Sequence, residues 1–123
     1  LAQLRELLDG NAYDRLEQLG ARLEEGIREA IRKHGRNYTF HRAGSMFCLF
    51  FTEQEVYDLD SAQKASKELF KPFFWNMLEQ GVYFAPSPYE TGFISTAHTE
   101  EDIDRYGGSS PCQPLQTGIM PLI

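Results

Sequence analysis

Between Gly81 and His98 the chain reads Gly-Val-Tyr-Phe-Ala-Pro-Ser-Pro-Tyr-Glu-Thr-Gly-Phe-Ile-Ser-Thr-Ala-His. Pro86 and Pro88 fix φ and push the residues before them into extended geometry, so Ala85 to Tyr89 is expected as a stiff, non-helical loop. Val82, Tyr83 and Phe84 are β-branched and aromatic and predict a short strand entered through Gly81. Gly92 then releases the chain into a second expected strand, Phe93 to Thr96. Strand, rigid loop, strand holds one side chain at a fixed place, and the charged side chain on that loop is Glu90. A scaffolded loop is where function tends to sit. The alternative on local pattern alone is that Glu90 is a solvated loop carboxylate.

The chain has 123 residues, 41% apolar and 24% charged, which suits one globular domain with a modest core. A net charge of −6 argues against nucleic acid as a partner, since phosphate contacts need surplus Lys and Arg. Cys48 and Cys112 do not make a disulfide framework, and a reducing, cytoplasmic compartment is expected. The longest apolar run, Met46 to Phe51, is far too short for a membrane span, and no leader pattern predicts secretion.

Leu1, Leu4, Leu7 and Leu8 recur at helical spacing with no cap before them, so the helix is expected to begin upstream. After the break at Asp9-Gly10, Asn11 is a candidate N-cap. Tyr13, Leu16, Leu19 or Leu23, Ile27 and Ile31 form the apolar stripe of a long helix, with Gly35 placed for a left-handed C-terminal turn. The basic end of this helix, Arg28 to Arg36, reads as ordinary capping of carbonyl groups rather than an anion site. Two strands follow, joined at Ala43-Gly44-Ser45; Met46 to Phe51 is apolar on both faces, as a covered central strand requires. Cys48 is read as a small buried hydrophobe and His41 as a surface strand residue.

Glu53, Glu55, Asp58 and Asp60 form an acidic connection without the glycine of a calcium loop. Asp60 with Gln63 predicts a capping-box start for a helix running to about Gln80. Pro72 either kinks that helix or marks a restart. Its buried face is expected from Ala62, Ala65, Leu69, Phe70, Phe73, Met77 and Leu78. Thr99 and Asp102 predict a second box, with Ile103 the first apolar residue beyond it. From Tyr106 the composition becomes that of a loop or atypical tail.

Several of these residues, taken together, resemble the C-terminal part of the glutamate-1-semialdehyde aminomutase family, within the class III aminotransferase superfamily of fold type I pyridoxal-phosphate enzymes. The carriers are Gly44-Ser-Met-Phe47 with Phe50-Phe51, Phe73-Phe74 with Met77-Leu78, Gly81-Val-Tyr83 and Ala85-Pro-Ser87. They continue through Glu90, Gly92-Phe93, Ser95 and Ala97-His-Thr-Glu-Glu-Asp-Ile103. The resemblance covers about residues 1–105. It implies an α+β small domain: linking helices over 1–35, a core over 36–105 with a mainly antiparallel sheet of three or four strands covered by helices, and an atypical tail over 106–123.

The resemblance also implies, for the complete enzyme, a homodimer that uses pyridoxal phosphate to convert glutamate-1-semialdehyde to 5-aminolevulinate for tetrapyrrole synthesis. Glu90 falls where the family keeps a glutamate facing the substrate, and Ser87 and Tyr89 are candidates for the same wall. His98 is expected to hold backbone geometry. None of Lys33, Lys64, Lys67 or Lys71 matches the family's Schiff-base lysine, so no cofactor is expected on this chain alone and no catalysis from it. Two rival readings are another class III aminotransferase, favoured by an arginine where Glu90 stands, and a free-standing ligand-binding or dimerisation module.

Overall fold

The computed structural model describes residues 1–8 and 10–107. The leucine spacing at the start does form a helix, α1 (Ala2–Leu8), but Leu1, Leu4 and Leu8 are left exposed. The long helix is α2 (Ala12–Lys33), which buries Leu16, Leu19, Leu23, Ile27 and Ile31 with Gly20, Gly26 and Ala30 between them. Tyr13 departs from the expected stripe and is exposed, because the core packed against α2 begins at Leu16. Asn11 stands at the N-cap, yet its side chain caps nothing; ψ near 0° departs from the extended geometry that aims a cap side chain at the first turn. The other end closes as expected. Gly35 takes φ 62°, which lets Gly35 N–H reach the Arg32 carbonyl and Arg36 N–H reach the Ile31 carbonyl.

Strands β1 (Thr39–Ala43) and β2 (Met46–Phe50) make an antiparallel hairpin around Gly44-Ser45, with Ala43 opposite Met46. The third strand, β3 (Gly92–Phe93), pairs antiparallel with β2, giving sheet order β1-β2-β3. The middle strand is apolar on both faces, as expected. Phe47 joins the main core with Leu49 packed against it, while Phe50 and Cys48 belong to a second cluster with Val56, Ala62 and Ala65. On the α2 side of β1, Arg42 is largely buried, makes a two-pronged pair with Glu17 at 2.8 and 3.0 Å, and meets Glu24 at 2.9 Å. A Cβ on Gly20 would lie 2.7 Å from the Gly44 carbonyl oxygen, so only glycine lets α2 press against the hairpin turn.

The helix expected over 60–80 is two helices, α3 (Leu59–Ala62) and α4 (Lys67–Glu79). The capping box is Asp58 with Ser61, not Asp60 with Gln63. Ser66 caps α4, and its N–H donates to the Phe51 carbonyl at 3.0 Å, which ties the break to the end of β2. Pro72 lies in the interior of α4, where it removes one backbone donor without stopping the helix. Of the expected buried face, Phe70, Phe73 and Met77 are buried, Leu69 half-buried and Leu78 exposed.

Two further expectations are corrected. Val82 to Phe84 is not a strand; no partner strand runs beside it, and Val82 and Phe84 instead pack by their side chains on the core. The strand expected over Phe93 to Thr96 is only β3, extended by one bond from Ile94 N–H to the Ser45 carbonyl at 2.9 Å. The last helix, α5 (Glu100–Gly107), starts in the expected box: Thr99 N–H meets Asp102 Oδ2 at 2.9 Å and Asp102 N–H meets Thr99 Oγ1 at 3.1 Å. It includes Tyr106 and Gly107, assigned from sequence to the tail; the rest of that tail, with Cys112, lies outside the described residues.

Helix α5 lies against α2. Ile103 is 1% exposed, and a Cβ on Gly26 would sit 2.9 Å from Gly107 Cα. Arg22 fastens the pair from outside, with Nε 2.6 Å from Asp104 Oδ1 and a second contact to Glu100 at 2.8 Å.

Candidate substrate pocket

The stiff loop, β2, β3 and α5 enclose a cavity of about 350 Å³. Gly92 brings β3 under the Phe47 ring: a Cβ there would meet ring atoms at 2.7 Å, so the cavity floor needs glycine. Phe84 stands edge-on to Phe47 and to Tyr106, with ring centroids 6.2 and 5.7 Å apart, which makes one wall aromatic. Leu23, Ile94 and Ile103 supply aliphatic surface. Burial pushes the Tyr106 phenol above its ordinary pKa, with Asp102 adding to the shift, so it stays a neutral hydroxyl at physiological pH.

Glu90 lines this cavity and is its only carboxylate among the described residues. Its backbone is held from both sides. Glu90 N–H donates to the Ser87 carbonyl at 3.4 Å, closing the turn that Pro86 and Pro88 begin. Its own carbonyl accepts from Cys48 Sγ at 3.5 Å. Among the described residues no hydrogen bond or ion pair engages the Glu90 side chain. An unpaired carboxylate at the edge of an apolar cavity attracts an ammonium group and disfavours a second carboxylate.

Ser87 and Tyr89 do not line the cavity. The Ser87 hydroxyl accepts from Tyr89 N–H at 3.4 Å, and the Tyr89 ring lies under Lys67 Nζ at 5.6 Å. The turn that presents Glu90 turns these two neighbours into supports. His98, expected to hold backbone geometry, accepts from Ser95 N–H at Nδ1 over 3.0 Å. That bond places the proton of the neutral ring on Nε2. His98 also lines the cavity and packs edge-on to Tyr106; Tyr83, Phe84 and Thr91 line it on the loop side, and sequence reasoning chose none of these for the site. The available signal was Tyr106 standing three residues after Ile103, on one face of α5.

Among the described residues, no lysine or arginine lines the cavity. That lining offers neither an amine for a Schiff base nor a cation for a cofactor phosphate. No group of three or more metal-ligating side chains occurs among them, and no described helix is long and apolar enough to cross a membrane.

No protein-family model matches the chain. Curated relatives do. Over 105 residues the chain is 90% identical to a glutamate-1-semialdehyde 2,1-aminomutase of Akkermansia muciniphila, covering 85% of this chain and 25% of that protein. The chain is similar to one segment of glutamate-1-semialdehyde 2,1-aminomutases. An aminomutase of Thermodesulfovibrio yellowstonii is 48% identical over 102 residues, covering 83% of this chain and 24% of its own. The fold agrees. A solved structure described as a transaminase with PLP bound matches with a TM-score of 0.69 and 26% identity, over 93% of this chain and 25% of that one. The chain thus spans about a quarter of the length of the aminomutases it matches.

Proposed function

We propose that the complete protein carrying this chain is a pyridoxal-phosphate-dependent aminomutase that converts glutamate-1-semialdehyde to 5-aminolevulinate for tetrapyrrole synthesis, with Glu90 facing the substrate. The observation that carries this reading is the Glu90 carboxylate, unpaired among the described residues, on an apolar cavity whose described lining holds no arginine. An ordinary aminotransferase that clamps a second substrate carboxylate needs an arginine there. The residues of this cavity do not fit the cofactor, so the groups that hold it belong to another part of the complete protein, and this chain alone is inactive. Its own contribution is an apolar wall that excludes water, a carboxylate that attracts the substrate's amino group, and the Tyr106 hydroxyl and His98 imidazole beside it. The family resemblance further supports a cytoplasmic homodimer.

The test is to sequence the coding DNA on both sides of this segment and assay the encoded protein with glutamate-1-semialdehyde. A reading frame continuous with a lysine-bearing domain, and 5-aminolevulinate as product, support the proposal. Stop and start codons flanking the segment, or no product from the complete protein, contradict it.

A further inference from the structure

At the far end of α2 from the hairpin turn, Arg28, Arg32 and Arg36 line one groove of about 420 Å³ with Asn37 and Tyr38. Sequence reasoning assigned these cations to capping the helix C-terminus, whose carbonyls repel anions. In the structure that capping is shared with backbone donors. The last carbonyls are already used by backbone donors: Ala30 by His34 N–H, Ile31 by Arg36 N–H and Arg32 by Gly35 N–H, at 3.0 to 3.2 Å. These three carbonyls therefore do not depend on side-chain donors.

The cations also differ in how far they are committed. Arg28 is held by Glu24 at 2.8 Å and lies over the Phe40 ring. Arg32 reaches only the Arg28 carbonyl, at 3.4 Å, and among the described residues no carboxylate pairs with Arg32 or Arg36. Glu29 is engaged by Lys33 at 3.0 Å. Glu25, the one carboxylate on the groove among the described residues, also acts on Arg22, whose charge it favours. Burial keeps the Tyr38 phenol protonated and able to donate.

We propose that this groove binds a small phosphate-bearing anion of the diphosphate class, gripped by the guanidinium forks of Arg32 and Arg36, with Asn37 and Tyr38 as neutral donors. Two planar forks match adjacent phosphate oxygens, a local geometry that must act against the chain's net charge of −6. The groove is formed only by α2 and the segment leading into β1, so the site stands independently of the Glu90 cavity.

The test is titration of the full 123-residue chain with inorganic pyrophosphate, followed by amide NMR, with sodium chloride at matched ionic strength as the control. Saturable shifts at Asn37 and Tyr38 that chloride does not reproduce support the site. Arg36→Gln then weakens binding about tenfold, while Lys64→Gln on the remote surface leaves it unchanged. Shifts that chloride reproduces, shifts equally large around Lys64 and Lys71, or equal affinity in Arg36→Gln overturn it.

Discussion

Cys48 Sγ lies 3.5 Å from the main-chain carbonyl oxygen of Glu90. The middle strand of the sheet thus touches the residue on which the proposed substrate site is built, and does so through a neutral thiol. Burial pushes the Cys48 thiol up to about 11 from its ordinary 9.0. In a Cys112→Ser background, Cys48 is therefore expected to react slowly with iodoacetamide at pH 8, with a rate that climbs tenfold per pH unit up to about pH 10. Linkage gives a second readout. Because the unfolded thiol ionises first, stability is undiminished below pH 9 and falls as pH rises from 9 towards 11. Fast modification at pH 8 contradicts the buried, neutral thiol.

Arg42 joins β1 to α2 through Glu17, Glu24 and the Gly44 carbonyl. Removing it strands Glu24, itself half-buried, so Arg42→Met is expected to cost roughly 2 kcal/mol in chemical denaturation. Arg42 also holds Glu17 and Glu24 below the ordinary carboxylate value of 4.5. Their folded pKa values are depressed, so the stability they bring is present above pH 4.5 and is lost as pH falls through the folded values. A denaturation series from pH 6 to 3 is expected to show a steeper loss for the parent chain than for Arg42→Met.

Gly26 and Gly107 let α2 and α5 meet backbone to backbone. Alanine at position 26 gains about 1 kcal/mol of helix propensity. The clash wins, because the atoms it meets, at 2.9 and 3.1 Å, are main-chain atoms that cannot swing aside. Gly26→Ala is expected to destabilise the chain by roughly 1–3 kcal/mol and to speed hydrogen exchange in α5. Unchanged exchange in α5 contradicts the packing described.

Much of this fold is legible where one local rule acts alone. The α2 stripe, the left-handed Gly35, the hairpin at Gly44-Ser45 and the Thr99–Asp102 box each depend on neighbours within a few residues. Some failures were local, such as the box at Asp58–Ser61 and the idle Asn11 cap; the larger ones occur where a distant partner decides. Val82 to Phe84 has strand composition but no strand beside it to pair with. The α3–α4 break needs the Phe51 carbonyl, fifteen residues before Ser66, to hold it. At the cavity, the loop that carries Glu90 was legible because two prolines and a glycine bracket it, while the role proposed for Glu90 came from the family resemblance; Phe84, His98 and Tyr106 were not legible, because only the tertiary fold brings them to one cavity.

The most direct test of the central claim is steady-state kinetics of Glu90→Gln in the complete protein. The substitution keeps the shape of the side chain and removes its charge. The expected result is a fall of about tenfold or more in kcat/KM for glutamate-1-semialdehyde, with the cofactor's absorption spectrum unchanged. Kinetics equal to the parent enzyme would remove Glu90 from the substrate site.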